Sequence, residues 1–237
     1  MNRIKNLLIL VATAIFVASG TIPSFATQLF DSSGTSPYRD GYTGANKYAG
    51  TVGLEFAVRG QAIEVTSLGY FDGPNSIGGA IGDGLQNAHQ IGIWDTSAHL
   101  VASVSVDAGS TLVGSFRYVT LTTPLILPAG ATYALGGQIT TLDLGASGDV
   151  FRNDADATTI SAAATSAIFY YGGLYTDAPD GNPTLNNGVF HEPHQDGGAW
   201  FLGPNMQFNV VPEPSSVVLG AFGLVALIVC GRRRRHH

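Results

Sequence analysis

Three groups of side chains are spaced in ways that suit chemistry. His191-Glu192-Pro193-His194-Gln195-Asp196 is the densest set of metal-capable residues, and two histidines three apart beside carboxylates can hold zinc or copper where the backbone curls at Pro193. Its glycine-rich flanks supply no helix to preset the spacing, so a solvated loop is the plainer expectation. Asp149, Asn153, Asp154 and Asp156 offer hard oxygen ligands for Ca2+, against an Asx-rich turn built from the same residues. Their spacing is not that of an EF-hand loop. Tyr170, Tyr171, Tyr175 and Trp200, with Phe201, form a candidate stacking platform for sugar rings, because flat apolar faces with polar rims suit pyranoses. Strand and core packing explains the same residues without a ligand and is the plainer expectation, and strand alternation puts Tyr170 and Tyr171 on opposite faces.

Catalytic arrangements are poorly represented. No Gly-x-Ser-x-Gly elbow occurs, and glutamate is confined to Glu55, Glu64, Glu192 and Glu213, of which the first two read as strand positions. The expectation is that the protein is not an enzyme. No bound cofactor is called for beyond the calcium candidate.

Elements that position these groups are read from alternation and punctuation. The chain is rich in Gly, Thr, Ser and Val, and short β-branched segments recur between glycine, proline and Asx residues, the composition of an all-β protein. Strands are predicted near 51–58, 62–71, 90–94, 100–106, 116–121, 132–138, 167–171 and 205–210, with a helical turn around 161–165. Ile63-Glu64-Val65-Thr66-Ser67-Leu68 and Phe116-Arg117-Tyr118-Val119-Thr120-Leu121 alternate as strands with one buried and one wet face do. Strands at this spacing predict an antiparallel two-sheet sandwich or jelly roll, with an elaborated loop region at about 139–190.

The ends have a different character. Residues 1–26 read as a signal peptide: Arg3 and Lys5 precede the apolar Leu7–Ser19 run, and Ser24-Phe25-Ala26 places small residues for a cut before Thr27, with cuts after Ala18 or Gly20 as alternatives. At residues 211–237 the order is Val-Pro-Glu-Pro, an uncharged apolar run from Ser215 to Gly231, and Arg232, Arg233, Arg234 and Arg235. Seventeen helical residues (215–231) reach about 26 Å, close to the roughly 30 Å hydrocarbon core of a bilayer. Four arginines are retained on the cytoplasmic side, so a single C-terminal transmembrane helix would leave the body outside. Pro212 and Pro214 keep the strap extended just beyond the membrane.

Between these segments, residues 27–210 form the exported domain. Taken through Glu213 of the strap, it carries five basic residues against all seventeen acidic ones, a formal charge of −12. Such a surface repels nucleic acid, which is excluded as a partner. The single cysteine, Cys230, lies in the apolar run, so the body holds no disulfide.

Pro212-Glu213-Pro214, the apolar run and the arginine cluster together resemble the PEP-CTERM sorting signal of Gram-negative bacteria. That resemblance implies export, retention in the inner membrane facing the periplasm, cutting near Pro212 to Pro214 by exosortase, and delivery to the cell surface or extracellular space. It also implies a link to exopolysaccharide and biofilm, with glycans as partners. A plain tail anchor with a proline-rich linker is the blander alternative.

Val52-Gly53-Leu54-Glu55-Phe56, Ile63 to Tyr70, His89-Gln90-Ile91-Gly92-Ile93-Trp94-Asp95, Leu100 to Ser103, Phe116 to Val119 and Leu127 to Tyr133 resemble the DUF4082-type β-sandwich. This module is known as an accessory domain beside bacterial surface and carbohydrate-active proteins. No catalytic residues carry over from either resemblance. A non-enzymatic surface or matrix protein is therefore the expectation, with a carbohydrate-binding module or weak glycan-active hydrolase as the alternative.

Overall fold

A computed structural model describes residues 26–30, 50–73, 82–140, 149, 152–154, 160–177 and 200–211, with the backbone alone at 152–154, 175–177 and 200–202. The expected signal peptide up to Phe25, the His191–Asp196 loop, Asp156, and the sorting signal from Pro212 onward lie outside these residues. Among the described residues no helix is long and apolar enough to cross a membrane.

The described chain is all-β, in two antiparallel sheets. Its strands are β1 (Thr27–Gln28), β2 (Gly50–Val58), β3 (Ile63–Phe71), β4 (His89–Asp95), β5 (Leu100–Val106), β6 (Thr111–Val113), β7 (Phe116–Leu127), β8 (Thr132–Ile139), β9 (Arg152–Asp154), β10 (Ile168–Asp177), β11 (Trp200–Leu202) and β12 (Pro204–Val210). One sheet runs β1-β12-β3-β7-β6 and the other β10-β2-β8-β4-β5, while β9 and β11 form a separate ribbon.

Alternation decides which side chains meet between the sheets. Leu54, Phe56 and Val58 from β2, Ile91 and Ile93 from β4, and Leu135 from β8 face Ile63, Val65, Leu68 and Tyr70 from β3 and Met206 and Phe208 from β12 in one cluster. Each large apolar side chain so buried contributes about 1.5–3 kcal/mol relative to exposure. The second sheet also packs on its other face, where Trp94, Ala134 and Leu174 make a smaller cluster. Gly53, Gly136 and Gly92 lie in register across β2, β8 and β4 beside it. A Cβ at Gly92 would come within 2.8 Å of the Trp94 ring, and one at Gly53 would run into the Leu135 carbonyl, so glycine is what lets this face be covered closely.

Two strands run further than alternation alone suggests. Pairing of β7 with β3 jumps from Ser67↔Thr120 to Val65↔Leu125, so 121–124 bulge out of the ladder. Pro124 sits in that bulge, where no ladder donor is required. A second bulge interrupts β10 between Tyr170 and Gly172, after which pairing with β2 resumes as far as Asp177↔Gly50. Within the elaborated region at about 139–190 lie β9, β10 and a short helix, α1 (Ala162–Ala167), the last two where the sequence predicts a strand near 167–171 and a helical turn around 161–165. Ser161 caps α1 by accepting from the Ala164 N–H at 3.1 Å, and its hydroxyl donates to the Gln28 carbonyl at 2.6 Å.

Candidate functional site

β12 leads directly into the strap. Its last hydrogen bond runs from the Val211 N–H to the Ala62 carbonyl at 2.8 Å, so the folded body extends to the residue before Pro212. β12 also pairs with the first described strand, Thr27 with Phe208 and Gln28 with Gln207. Leu29 and Phe30 follow into the core at 1% and 0% exposure. Asn205 replaces the ladder there: its side-chain oxygen accepts from the Phe30 N–H at 3.2 Å and its amide donates to the Phe30 carbonyl at 3.3 Å.

The aromatic candidates separate. Tyr170 turns inward against the core, and burial pushes its phenol well above the usual tyrosine range. It does not share a surface with Tyr171, which is 56% exposed. Alternation and the bulge bring Phe169 to Tyr171 instead, with ring centroids 5.0 Å apart and edge to face. The Arg59 guanidinium lies 4.7 Å over the Phe169 ring. This Arg59–Phe169–Tyr171 ledge on edge strand β10 is the exposed aromatic arrangement of the described fold. The i, i+2 spacing in Phe169-Tyr170-Tyr171 carried the signal for it. Tyr175 and Trp200 lie in the β10 and β11 backbones, and the direction of their side chains is outside the description.

The acidic candidates also resolve unevenly. Asn153 and Asp154 lie in β9, paired with Phe201 and Trp200 of β11. The Asp149 carboxylate is filled by donors: the Gln86 and Asn87 N–H groups at 2.8 Å each and the His89 Nε2 at 3.0 Å. His89 Nδ1 faces the Gln138 carbonyl at 2.8 Å, and its ring stacks on Tyr70 at 3.8 Å and 7°. The arrangement ties the 86–87 turn, the end of β8 and residue 149 together. Among the described residues there is no group of three or more His, Cys, Asp or Glu that could hold a metal.

A second buried charge at the same end was not anticipated. Arg117 on β7 pairs with Asp72, whose side chain is 1% exposed, and donates to the carbonyls of Ala108 at 2.8 Å and Ser110 at 3.0 Å. Asp72 also accepts from the Gly84 N–H at 3.2 Å. Burial pushes the Asp72 carboxyl above its ordinary value, and the Arg117 guanidinium opposes that rise. In sequence Arg117 is an ordinary outward charge on an alternating strand; its loop partners come together with it only in the fold.

Comparison with known families places these features. A family described as a domain of unknown function, DUF4082, matches residues 40–192, which contain β2 through β10. A PEP-CTERM protein-sorting motif matches residues 210–235, beginning at the last residue of β12. Nothing among the curated proteins matches the chain. The sorting motif implies export, processing by exosortase at the membrane and sorting to the surface. With one model covering well over half of its length and the other its C-terminal tail, the chain belongs to the DUF4082 family and carries the PEP-CTERM sorting motif of exosortase substrates.

Proposed function

We propose that this protein is a non-enzymatic component of the cell surface or extracellular matrix. It is held for a time in the membrane by residues 215–231, cut near Pro212 to Pro214 by exosortase, and delivered into an exopolysaccharide or biofilm layer. The observation that carries this reading is the continuity between body and motif: the sorting match begins at Val210, where the folded domain ends. The non-enzymatic part draws support from the two histidine–carboxylate pairs of the described fold. His89 is sealed beneath Tyr70, and His99 and Asp95 close a surface turn. Intact mass of the protein recovered from its native cell surface tests the reading. The expected species lacks the arginine cluster and the apolar run; a membrane-bound product with an intact tail would overturn it.

A second reading, that the body binds glycans, is favoured by the exposed Phe169–Tyr171 pair beside Arg59. Removing one aromatic stacking face usually costs about 1–2 kcal/mol, roughly a tenfold loss in affinity. On a glycan array, saturable binding lost in both Phe169→Ala and Tyr171→Ala, and kept in Tyr170→Phe, is the expected pattern. Silence of the folded wild-type body across the array counts against it.

A further inference from the structure

We propose that the end of the sandwich from which the sorting strap departs is a membrane-docking face, pressed against lipid headgroups while the precursor is tethered. The proposal rests on the sorting reading and adds a surface to it. Three observations converge on this end.

The first is tether length. Val211 is hydrogen-bonded to Ala62, and Pro212, Glu213 and Pro214 alone separate it from the apolar run that starts at Ser215. Four Cα steps reach at most about 14 Å. The headgroup layer takes up roughly 6 Å of that. The end of the sandwich therefore stays within about one side-chain length of the headgroups and has no room to tumble away.

The second is that both targeting segments leave from the same end. Thr27 pairs antiparallel with Phe208, so Ala26, the residue before the expected signal-peptide cut, lies alongside the outgoing end of β12. Before that cut the body is held at one end by both of its termini.

The third is the distribution of charge and apolar surface. The strand ends Val58, Val210 and Leu127 and the starts of β3 and β8 lie at the tethered end, with the 59–62 and 128–131 connections. The described charged residues there are Arg59, Glu64 and Asp95; Glu64 lies opposite Ile126 and accepts from the Asn209 amide at 3.4 Å, and Asp95 is engaged by the backbone and ring of His99. Ile126 and Val210 are exposed at this end at 52% and 37%. At the opposite end lie Asp72, Asp83, Asp107, Asp149 and Asp177, following or flanking the other ends of the same strands. Among these described residues five carboxylates lie away from the strap and two beside it. An anionic bilayer therefore repels the far end more strongly than the near one, which offers it a guanidinium and two aliphatic side chains beside two carboxylates already held by Asn209 and His99.

The test uses the full chain in a Cys230→Ala background, reconstituted into phosphatidylethanolamine–phosphatidylglycerol vesicles that carry a headgroup spin label. A fluorophore is attached through Ala129→Cys at the tethered end or Ala108→Cys at the far end, both exposed positions. A nine-residue strand such as β2 separates the ends by about 30 Å, well beyond contact quenching. Quenching at Ala129→Cys with none at Ala108→Cys is the expected result, and equal quenching at both would overturn the proposal. Adding Arg59→Glu and Ile126→Glu should abolish quenching at Ala129→Cys while circular dichroism stays unchanged. Undiminished quenching would mean the tether acts without a docking face, which also overturns it. Vesicle flotation keeps the two readings apart: a chain that fails to float sinks the membrane-tether reading itself, whereas one that floats with equal quenching sinks the docking face alone.

Discussion

Arg117 shows how far a single residue's role departs from its sequence neighbourhood. Its guanidinium neutralises a carboxylate that is almost wholly buried and donates to the loop carbonyls of Ala108, Ser110 and Gly82. Replacing it with Met strands the Asp72 charge, and breaking a buried pair on one side costs about 3–5 kcal/mol. Urea denaturation of Arg117→Met should show a loss of that size. Arg117→Lys should fall between, since an ammonium restores the charge but not the fork. The double variant Asp72→Asn/Arg117→Met should lose less than Arg117→Met alone, because no unpaired charge remains. What the sequence offered at this scale was uneven. That Tyr170 and Tyr171 face opposite ways followed from strand period. The partner of Asp149 did not, because His89 lies sixty positions away and is brought there by the register of β4 against β8.

Elements were legible where they were long and regular. β5 has the expected bounds, and β2, β3, β4, β8 and β12 lie within a residue of theirs, because each is a run of β-branched, aromatic and small residues set off by Gly, Pro or Asx punctuation. β7 and β10 were read short: Thr-Thr-Pro at 122–124 looks like a strand end but is a bulge with the strand continued beyond, and Gly172-Gly173 looks like one but resumes the ladder after the bulge at Tyr171. The two- and three-residue strands β1, β6, β9 and β11 are too short to show a period. The turn joining β4 to β5 exposes a different local balance. Asp95 Oδ1 accepts from the N–H groups of Ser97 and His99, and Ala98 is held at φ 61°. That left-handed backbone costs a non-glycine residue roughly 1 kcal/mol, so Ala98→Gly should raise stability by about that amount in thermal denaturation. The His99 N–H holds the Asp95 carboxyl below its ordinary value of 3.8. The unfolded chain then takes up the proton first as pH falls, so this turn's contribution is complete above the unfolded value and fades through the folded one. Asp95→Asn should be less stable than wild type at neutral pH, and the gap should narrow towards about pH 3 in a pH series of denaturation curves.

At the scale of the whole molecule, the first and last strands of the exported body are partners, and that sets what a truncated chain can do. The first sheet is not complete until β12 has inserted between β1 and β3, and β12 brings Met206 and Phe208, both 0% exposed, into the core. The family match to 40–192 therefore stops short of a self-sufficient sandwich: the neighbour that satisfies β3 on one side, and with it the site where Leu29 and Phe30 dock, lies beyond residue 192. A chain running from Thr27 to Gly203 would leave the β3 ladder open and remove two large core side chains. Such losses cost about 2–5 kcal/mol each, against a total stability of only about 5–15 kcal/mol for a domain. A chain running from Thr27 to Val211 keeps every described hydrogen bond of β12, including Val211 to Ala62, and corresponds to a product cut immediately before Pro212. Calorimetry should show a cooperative transition for the 27–211 chain and none for 27–203. It should also show the same melting temperature for 27–211 as for the body within the full chain. A cooperative transition in the shorter chain would mean that the sandwich closes without its last strand and that the two termini meet only incidentally. If instead 27–211 melted well below the full chain, residues after Val211 would be part of the folded body, and the strap would not be free for a membrane enzyme to cut.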